Sequence, residues 1–185
     1  MLIACICLGF AIGAAPDKEI VTATKTPIRA TRTPANTATR EPTREPAIIP
    51  GIYAADVYMN LENKFGAECS DIEKGADGYY SHSCRRTEGS AEIFVTTYGK
   101  TITGVDFITA SVTQLSNPDP ALTADVLEYI STIPFIDSPA KQKEAVGWVT
   151  ANAQTGEAET EIGGIHFMLR GDGANRTLEM GGFSQ

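Results

Sequence analysis

Apolar residues recur at intervals of three and four positions in three stretches of the chain after residue 50. This spacing places them on one side of an α-helix, so we expect three amphipathic helices. Gly66 ends the first helix as a C-cap, Thr123 caps the start of the second, and Pro139 opens the third. The apolar positions are Ala54, Val57, Tyr58, Leu61 and Phe65; Val126, Tyr129, Ile130 and Ile133; and Val146, Val149 and Ala153, with Trp148 beside them.

Between and after these helices, the chain alternates in side-chain character or is rich in β-branched residues, which is typical of β-strands. Short connections between the first strands indicate an antiparallel meander. The expected strands are 78–86, 91–98 and 101–115, followed after the helices by a hairpin that pairs 157–170 with 176–183 across 171–175.

Two features of the predicted strand 157–170 bear on its place in the sheet. Gly163 and Gly164 lie inside the strand pattern, where glycine favours a bulge. Glu157, Glu159 and Glu161 alternate on one side, which is typical of an exposed sheet edge, and a basic partner is the alternative explanation.

The order of these elements predicts an α+β fold. We expect an antiparallel sheet of about five to six strands with three helices packed on one face, in the order α-β-β-β-α-α-β-β. This order is similar to that of the type III secretion chaperone-like sandwich and of small periplasmic sheet-and-helix domains, and it selects no single family. Residues 48–185 form the globular domain, which is long enough to bury a core without metals.

The first fifteen residues carry no charge and are mostly apolar. They predict a signal peptide or membrane anchor. As a helix they are shorter than a bilayer core of about 30 Å, and this length suits the apolar region of a secretory signal. No basic residue precedes the apolar run, so we expect the true start of the chain to lie upstream of Met1. Leu2 to Cys5 resembles the lipobox of bacterial lipoproteins, which makes Cys5 a candidate for lipidation.

Residues 16–47 are rich in Thr and Pro, and no aromatic residue occurs between Phe10 and Tyr53. Such a segment buries too little apolar surface to fold alone, so it predicts a disordered linker. The linker has a net charge of +2, whereas residues 48–185 carry −10. The acidic domain argues against nucleic acid as a partner, because neutralising phosphates requires a basic surface.

Cys69 and Cys84 are the two cysteines of the globular domain. In an oxidising compartment outside the cytoplasm the simplest expectation is a disulfide bond between them. A metal site with His82 is the alternative, but the spacing matches no recognised zinc motif. We therefore expect no metal and no cofactor.

The search for catalytic residues gives only scattered candidates. His82 and His166 are the two histidines, and Ser81 or Ser83 could accompany one of them. The chain contains no Gly-x-Ser-x-Gly elbow and no phosphate-binding glycine loop, so an enzyme is the less favoured interpretation.

Strand alternation offers a non-catalytic candidate site instead. It places Tyr79, Ser81, Ser83 and Arg85 on one face of the first long strand, and His82 and Cys84 on the other. If the helices cover the cysteine side, the Tyr and Arg side chains remain on a wet face suited to binding.

The sequence therefore predicts an extracytoplasmic binding domain that the N-terminal segment secretes or holds at a membrane. Its ligand is an unknown protein, peptide or small molecule. The alternatives are a secreted hydrolase and an inhibitor or chaperone-like module that masks another protein.

Overall fold

The computed structural model of the chain describes residues 46–183, with side chains from 48 to 182. The predicted targeting segment 1–15, with Cys5, and linker residues 16–45 lie outside the described residues. The described chain has the predicted α+β architecture of an antiparallel sheet and three α-helices. Within residues 46–183, no helix is both long and apolar enough to span a bilayer.

The helices fall between blocks of strands. They are α1 (Ala54–Phe65), α2 (Pro120–Thr132) and α3 (Pro139–Asn152), with a 3₁₀ turn at Ile133–Phe135. The strands are β1 (Pro46–Ala47), β2 (Glu68–Cys69), β3 (Glu73–Lys74), β4 (Tyr80–Glu88), β5 (Ala91–Gly99), β6 (Phe107–Gln114), β7 (Ala158–Ile162), β8 (Ile165–Gly171) and β9 (Asn175–Phe183).

These nine strands form one sheet in which the neighbours are β2, β4, β5, β6, β9, β8 and β7. β3 continues the edge beside β4, and β1 pairs with the last residues of β9. The prediction of five to six strands was therefore wrong, as was the predicted order. β1, β2 and β3 have two residues each, which is too short for side-chain alternation to reveal a strand.

The other missing strand arises from the glycine pair. Gly163 and Gly164 have φ angles of 61° and 82°, and they close a tight turn between β7 and β8. Positive φ at both central residues is the requirement of a two-residue hairpin turn. The interpretation of these glycines as a bulge in one long strand was wrong, and β7 instead forms an edge of the sheet.

All three helices contact the same face of the sheet, which we call the covered face. Tyr58 of α1 lies edge-on against His82 of β4, with ring centroids 4.4 Å apart. Trp148 of α3 lies edge-on against Phe167 of β8 at 6.0 Å. The core between the layers includes Cys84, Ile93, Val95, Ile108, Ala110, Val112, Leu169, Leu178 and Met180, all buried.

α2 joins the covered face through a buried hydrogen bond. Gln114 Nε2 at the end of β6 donates to Thr123 Oγ1 of α2 over 2.9 Å. The expected capping role of Thr123 was wrong, because Asp119 takes the N-cap position and its carboxylate accepts from the Ala121 and Leu122 N–H groups. Pro120 explains this, since proline suits the first helical position and has no N–H to satisfy.

The predicted Cys69–Cys84 disulfide is confirmed. The two cysteines lie directly opposite each other on β2 and β4. In the chain-entropy model, closing a loop of this length stabilises the fold by about 3 kcal/mol. The bond thus fastens the chain that leaves α1 to the first long strand of the sheet.

Arg176 of β9 is buried on the covered face, with 1% of its surface exposed. Its guanidinium donates to the main-chain carbonyls of Asn152, Gly156 and Gly171 over 2.7 to 3.2 Å. Burial lowers the pKa of this guanidinium from its usual value, and the nearby Asp172 carboxylate opposes that shift. Arg176 therefore joins the end of α3, the connection to β7 and the turn between β8 and β9.

We expect Arg176→Met to lower the free energy of unfolding by about 3 kcal/mol, because three carbonyls lose a buried donor. The matched variant Arg170→Met removes an exposed arginine of β8 that pairs with Glu179 at 3.7 Å, and should change stability by less than about 0.5 kcal/mol. Urea unfolding of both variants measures the difference. Equal effects would contradict the role assigned to Arg176.

The pairing of β1 with β9 generates a second prediction, because Pro46 and Ala47 belong to the expected linker. We expect a chain that begins at Pro46 to unfold at the same urea concentration as the full chain. A chain that begins at Ile48 loses both residue pairs, and its unfolding free energy should fall by about 1 kcal/mol. Equal stability of the two shortened chains would show that β1 contributes nothing.

Candidate binding surfaces

The second face of the sheet, which we call the open face, carries no helix within residues 46–183. Its side chains alternate with those of the covered face along every long strand. The open face consists of Glu68, Glu73, Ser81, Ser83, Arg85, Thr87, Glu92, Phe94, Thr96, Tyr98, Phe107, Thr109, Ser111, Thr113, Glu159, Glu161, His166, Met168, Arg170, Asn175, Thr177, Glu179 and Gly181.

Three of the four residues predicted for a binding face lie on β4 and point to this side. Ser81 and Ser83 are half-buried and Arg85 is exposed. Tyr79 directly precedes the strand, where its N–H donates to Asp77 Oδ1 over 3.0 Å. The structure therefore places the predicted residues along one border of the open face, beside β5.

Arg85 is held by two neighbours on β5. Its Nε lies 2.7 Å from Glu92 Oε1, and its guanidinium lies over the Phe94 ring, 6.0 Å from the centroid. Phe94 is the register partner of Arg85 across the strand pair. An arginine paired in this way orients the aromatic ring and neutralises one carboxylate of the face.

Phe94 and Tyr98 form the exposed aromatic part of the face, and the sequence prediction missed them. They keep 41% and 37% of their surface exposed. Alternation of Phe94, Thr96 and Tyr98 against Ile93, Val95 and Thr97 was visible in the sequence. Joining them to Arg85 required the register between β4 and β5, which pairs Arg85 with Phe94.

Phe107 extends this aromatic patch onto β6, opposite Tyr98. Its ring lies over Gly181 of β9, where an added Cβ would come within 2.5 Å of the Phe107 ring. Because Gly181 has no side chain, it leaves the space that the Phe107 ring occupies. We call Phe94, Tyr98 and Phe107 the aromatic patch.

Hydroxyl groups surround the aromatic patch, and several are paired with one another. Ser83 and Thr96 lie 3.0 Å apart through their hydroxyl oxygens, and so do Ser111 and Thr177. Ser81 and Ser83 point to the open face while His82 points to the covered face, so neither serine can form a Ser–His pair with it. Ser81 also lies four strand spacings from His166, roughly 19 Å at the usual spacing.

The open face is acidic. Its open-face positions carry six glutamates and two arginines, and each arginine is already paired, Arg85 with Glu92 and Arg170 with Glu179. Glu159 Oε2 lies 3.5 Å from His166 Nε2. The predicted edge pattern of Glu159 and Glu161 is found on β7, which is an outer strand of the sheet.

A separate groove of about 650 Å³ lies beside α1 and α2, near the end of β4. Its lining carries both signs of charge: the basic residues are Lys64 and Arg86, and the acidic residues are Glu88, Asp125 and Glu128. Tyr129 lines it and donates its hydroxyl to Asn60 Oδ1 over 3.0 Å, and burial raises the pKa of this phenol. The mixed charge of its walls gives no preference for one class of ligand.

No protein-family model, no curated protein and no solved structure matches this chain.

Proposed function

We propose that the globular part of the chain is a binding domain, held outside the cytoplasm by its N-terminal segment, and that its open face docks a basic, extended segment of polypeptide. The observation that carries the proposal is the aromatic patch on a sheet face that no helix of residues 46–183 covers, beside carboxylates that form no ion pair with the described residues. Aromatic side chains on such faces are frequent binding hot spots, because they bury a large rigid surface.

Charge complementarity selects the partner. After the arginine pairs of the open face are set aside, Glu68 and Glu73 remain beside β4, and Glu73 is the register partner of Ser81. Both glutamates are exposed. Glu73 lies two strand spacings from Tyr98, roughly 10 Å, so a lysine or arginine of the partner can reach a carboxylate while its neighbour contacts the ring.

The aromatic patch offers a second contact for a cation. The exposed ring of Tyr98 suits stacking by a guanidinium or ammonium group. Within the domain, the Arg85 guanidinium already lies over the Phe94 ring in this way. Tyr79, Ser81 and Ser83 form the border of the same surface, where main-chain groups of a partner can bond to the serine hydroxyls.

The location outside the cytoplasm is a part of the proposal that rests on the apolar residues 1–15 and the linker, with lipidation of Cys5 as one route of attachment. The Cys69–Cys84 disulfide is compatible with an oxidising compartment. An inhibitor or chaperone-like module would use the same surface, since masking a basic segment of another protein requires the same contacts. A hydrolase finds no support in the placement of Ser81, Ser83 and the histidines.

We expect a ten-residue oligolysine peptide to bind the chain and an oligoglutamate of equal length not to bind. Amide shifts in ¹H–¹⁵N NMR spectra should cluster on β4, β5 and β6, and affinity should fall as salt rises because exposed charges are screened. Shifts confined to the helices, or equal binding of both peptides, would overturn the proposal.

Two matched pairs of variants test the contacts. The double variant Phe94→Ala and Tyr98→Ala should weaken oligolysine binding about tenfold or more, whereas Ile136→Ala, an apolar residue 51% exposed outside the sheet, should not. Glu68→Gln with Glu73→Gln should weaken binding about threefold or more, while Glu144→Gln on α3 should leave it unchanged. Retained affinity in both open-face variants would refute the assigned surface.

A further inference from the structure

The disulfide lies beside a histidine on the covered face, below α1. Cys69 and Cys84 are register partners on β2 and β4, and His82 precedes Cys84 by two residues on the same face. The two sulfur atoms and a ring nitrogen of His82 all lie within 4.8 Å of one another. Two sulfurs and one imidazole nitrogen therefore converge on one point of the fold.

The environment of His82 is a second, independent observation that points to a ligand at this cluster. It is 8% exposed, and its Nδ1 has no hydrogen-bond partner among the described residues. Leaving a buried polar atom unpaired costs about 1 to 3 kcal/mol. Among the described residues Arg86 Nε, Gln114 Oε1 and Arg176 Nε share this condition, but of the four residues His82 is the one grouped with two sulfur atoms. The Tyr58 ring packs edge-on against the imidazole and gives it no hydrogen bond in the described contacts.

A cavity of about 440 Å³ gives access to this cluster. It is lined by Cys69 and His82 together with residues of α1 and of the loop after β2, among them Glu62 and Asp71. Cys69 is half-buried, whereas Cys84 is only 3% exposed. A reductant or a metal ion entering the cavity therefore meets Cys69 and His82 first.

We propose that reduction of the Cys69–Cys84 disulfide converts this cluster into a site for a thiophilic metal ion, Cu⁺. While the two sulfurs are bonded to each other, neither is a thiolate and the site cannot form. After reduction, two thiolates and one imidazole nitrogen of His82 offer three ligands. Thiolates are soft ligands that favour Cu⁺, and three ligands are enough to complete the coordination of this ion. The reducing conditions that free the thiols also keep copper as Cu⁺.

The redox step needs a dithiol as its co-reactant. A thiolate of the dithiol attacks the Cys69 sulfur, the bond to Cys84 breaks, and a mixed disulfide forms. The second thiol of the reductant then displaces Cys69 and closes its own disulfide. Two electrons and two protons have passed to the cysteine pair, and Cu⁺ binding releases both protons as the thiolates coordinate the ion.

The test uses the full chain with Cys5→Ser and Cys7→Ser, because these two cysteines would bind Cu⁺ outside the proposed site. The protein is reduced with a phosphine that is then removed under argon. Cu⁺ is titrated in competition with the chromophoric chelator bathocuproine disulfonate, whose absorbance falls as the protein takes the ion. We expect the reduced chain to bind one Cu⁺ and the disulfide form to bind none. X-ray absorption should show two sulfur ligands and one nitrogen, and Zn²⁺ should compete poorly.

Variants distinguish a metal site that the fold assembles from cysteine thiols that would bind metal even in an unfolded chain. His82→Asn should weaken Cu⁺ binding by about tenfold or more, whereas the matched variant His166→Asn, on the open face, should bind as the parent does. Circular dichroism of each reduced protein reports whether it remains folded. Equal Cu⁺ affinity of the parent and His82→Asn, a reduced chain that binds no Cu⁺, or preferential binding of Zn²⁺ would overturn the proposal.

Discussion

The buried guanidinium of Arg176 is the constraint on which one half of the fold depends. Only 1% of the Arg176 surface is exposed, so the burial of its charge has to be offset by hydrogen bonds. Its two terminal NH₂ groups donate to three carbonyls, at the end of α3, before β7 and at the end of β8, while its Nε has no partner among the described residues. The three carbonyls lie 5 to 24 residues before Arg176 in the sequence, and this single side chain fixes where they meet.

At the other end of the sheet the covalent bond between Cys69 and Cys84 has the corresponding role. It fastens β2, which directly follows α1, to β4. The disulfide thus joins two strands at the β2–β4 edge of the sheet, whereas Arg176 joins β9 to the end of α3. The disulfide and the Arg176 hydrogen bonds both lie on the covered face. Neither of these two interactions uses a side chain of the open face.

The two proposed activities lie on opposite faces of the sheet. Alternation along β4 sends His82 and Cys84 beneath α1, and Ser81, Ser83 and Arg85 to the opposite side. The thiol and imidazole chemistry is thus separated by the thickness of the sheet from the aromatic patch and the acidic residues. β2 contributes to both sides, with Cys69 on the covered face and Glu68 on the open face.

The sequence by itself determined the three helices, the alternation of the long strands and the side of β4 on which each residue lies, because these depend on local periodicity. It also determined the disulfide, because the domain contains only two cysteines. Tertiary structure alone decided the two-residue strands, the hairpin at Gly163 and Gly164, the burial of Arg176 and the meeting of Phe94 with Arg85. Each of these depends on strand register or on contacts between distant segments. A local pattern carries no information about strand register, and for that reason the sequence revealed Ser81, Ser83 and Arg85 of the candidate surface but not Phe94 beside Arg85.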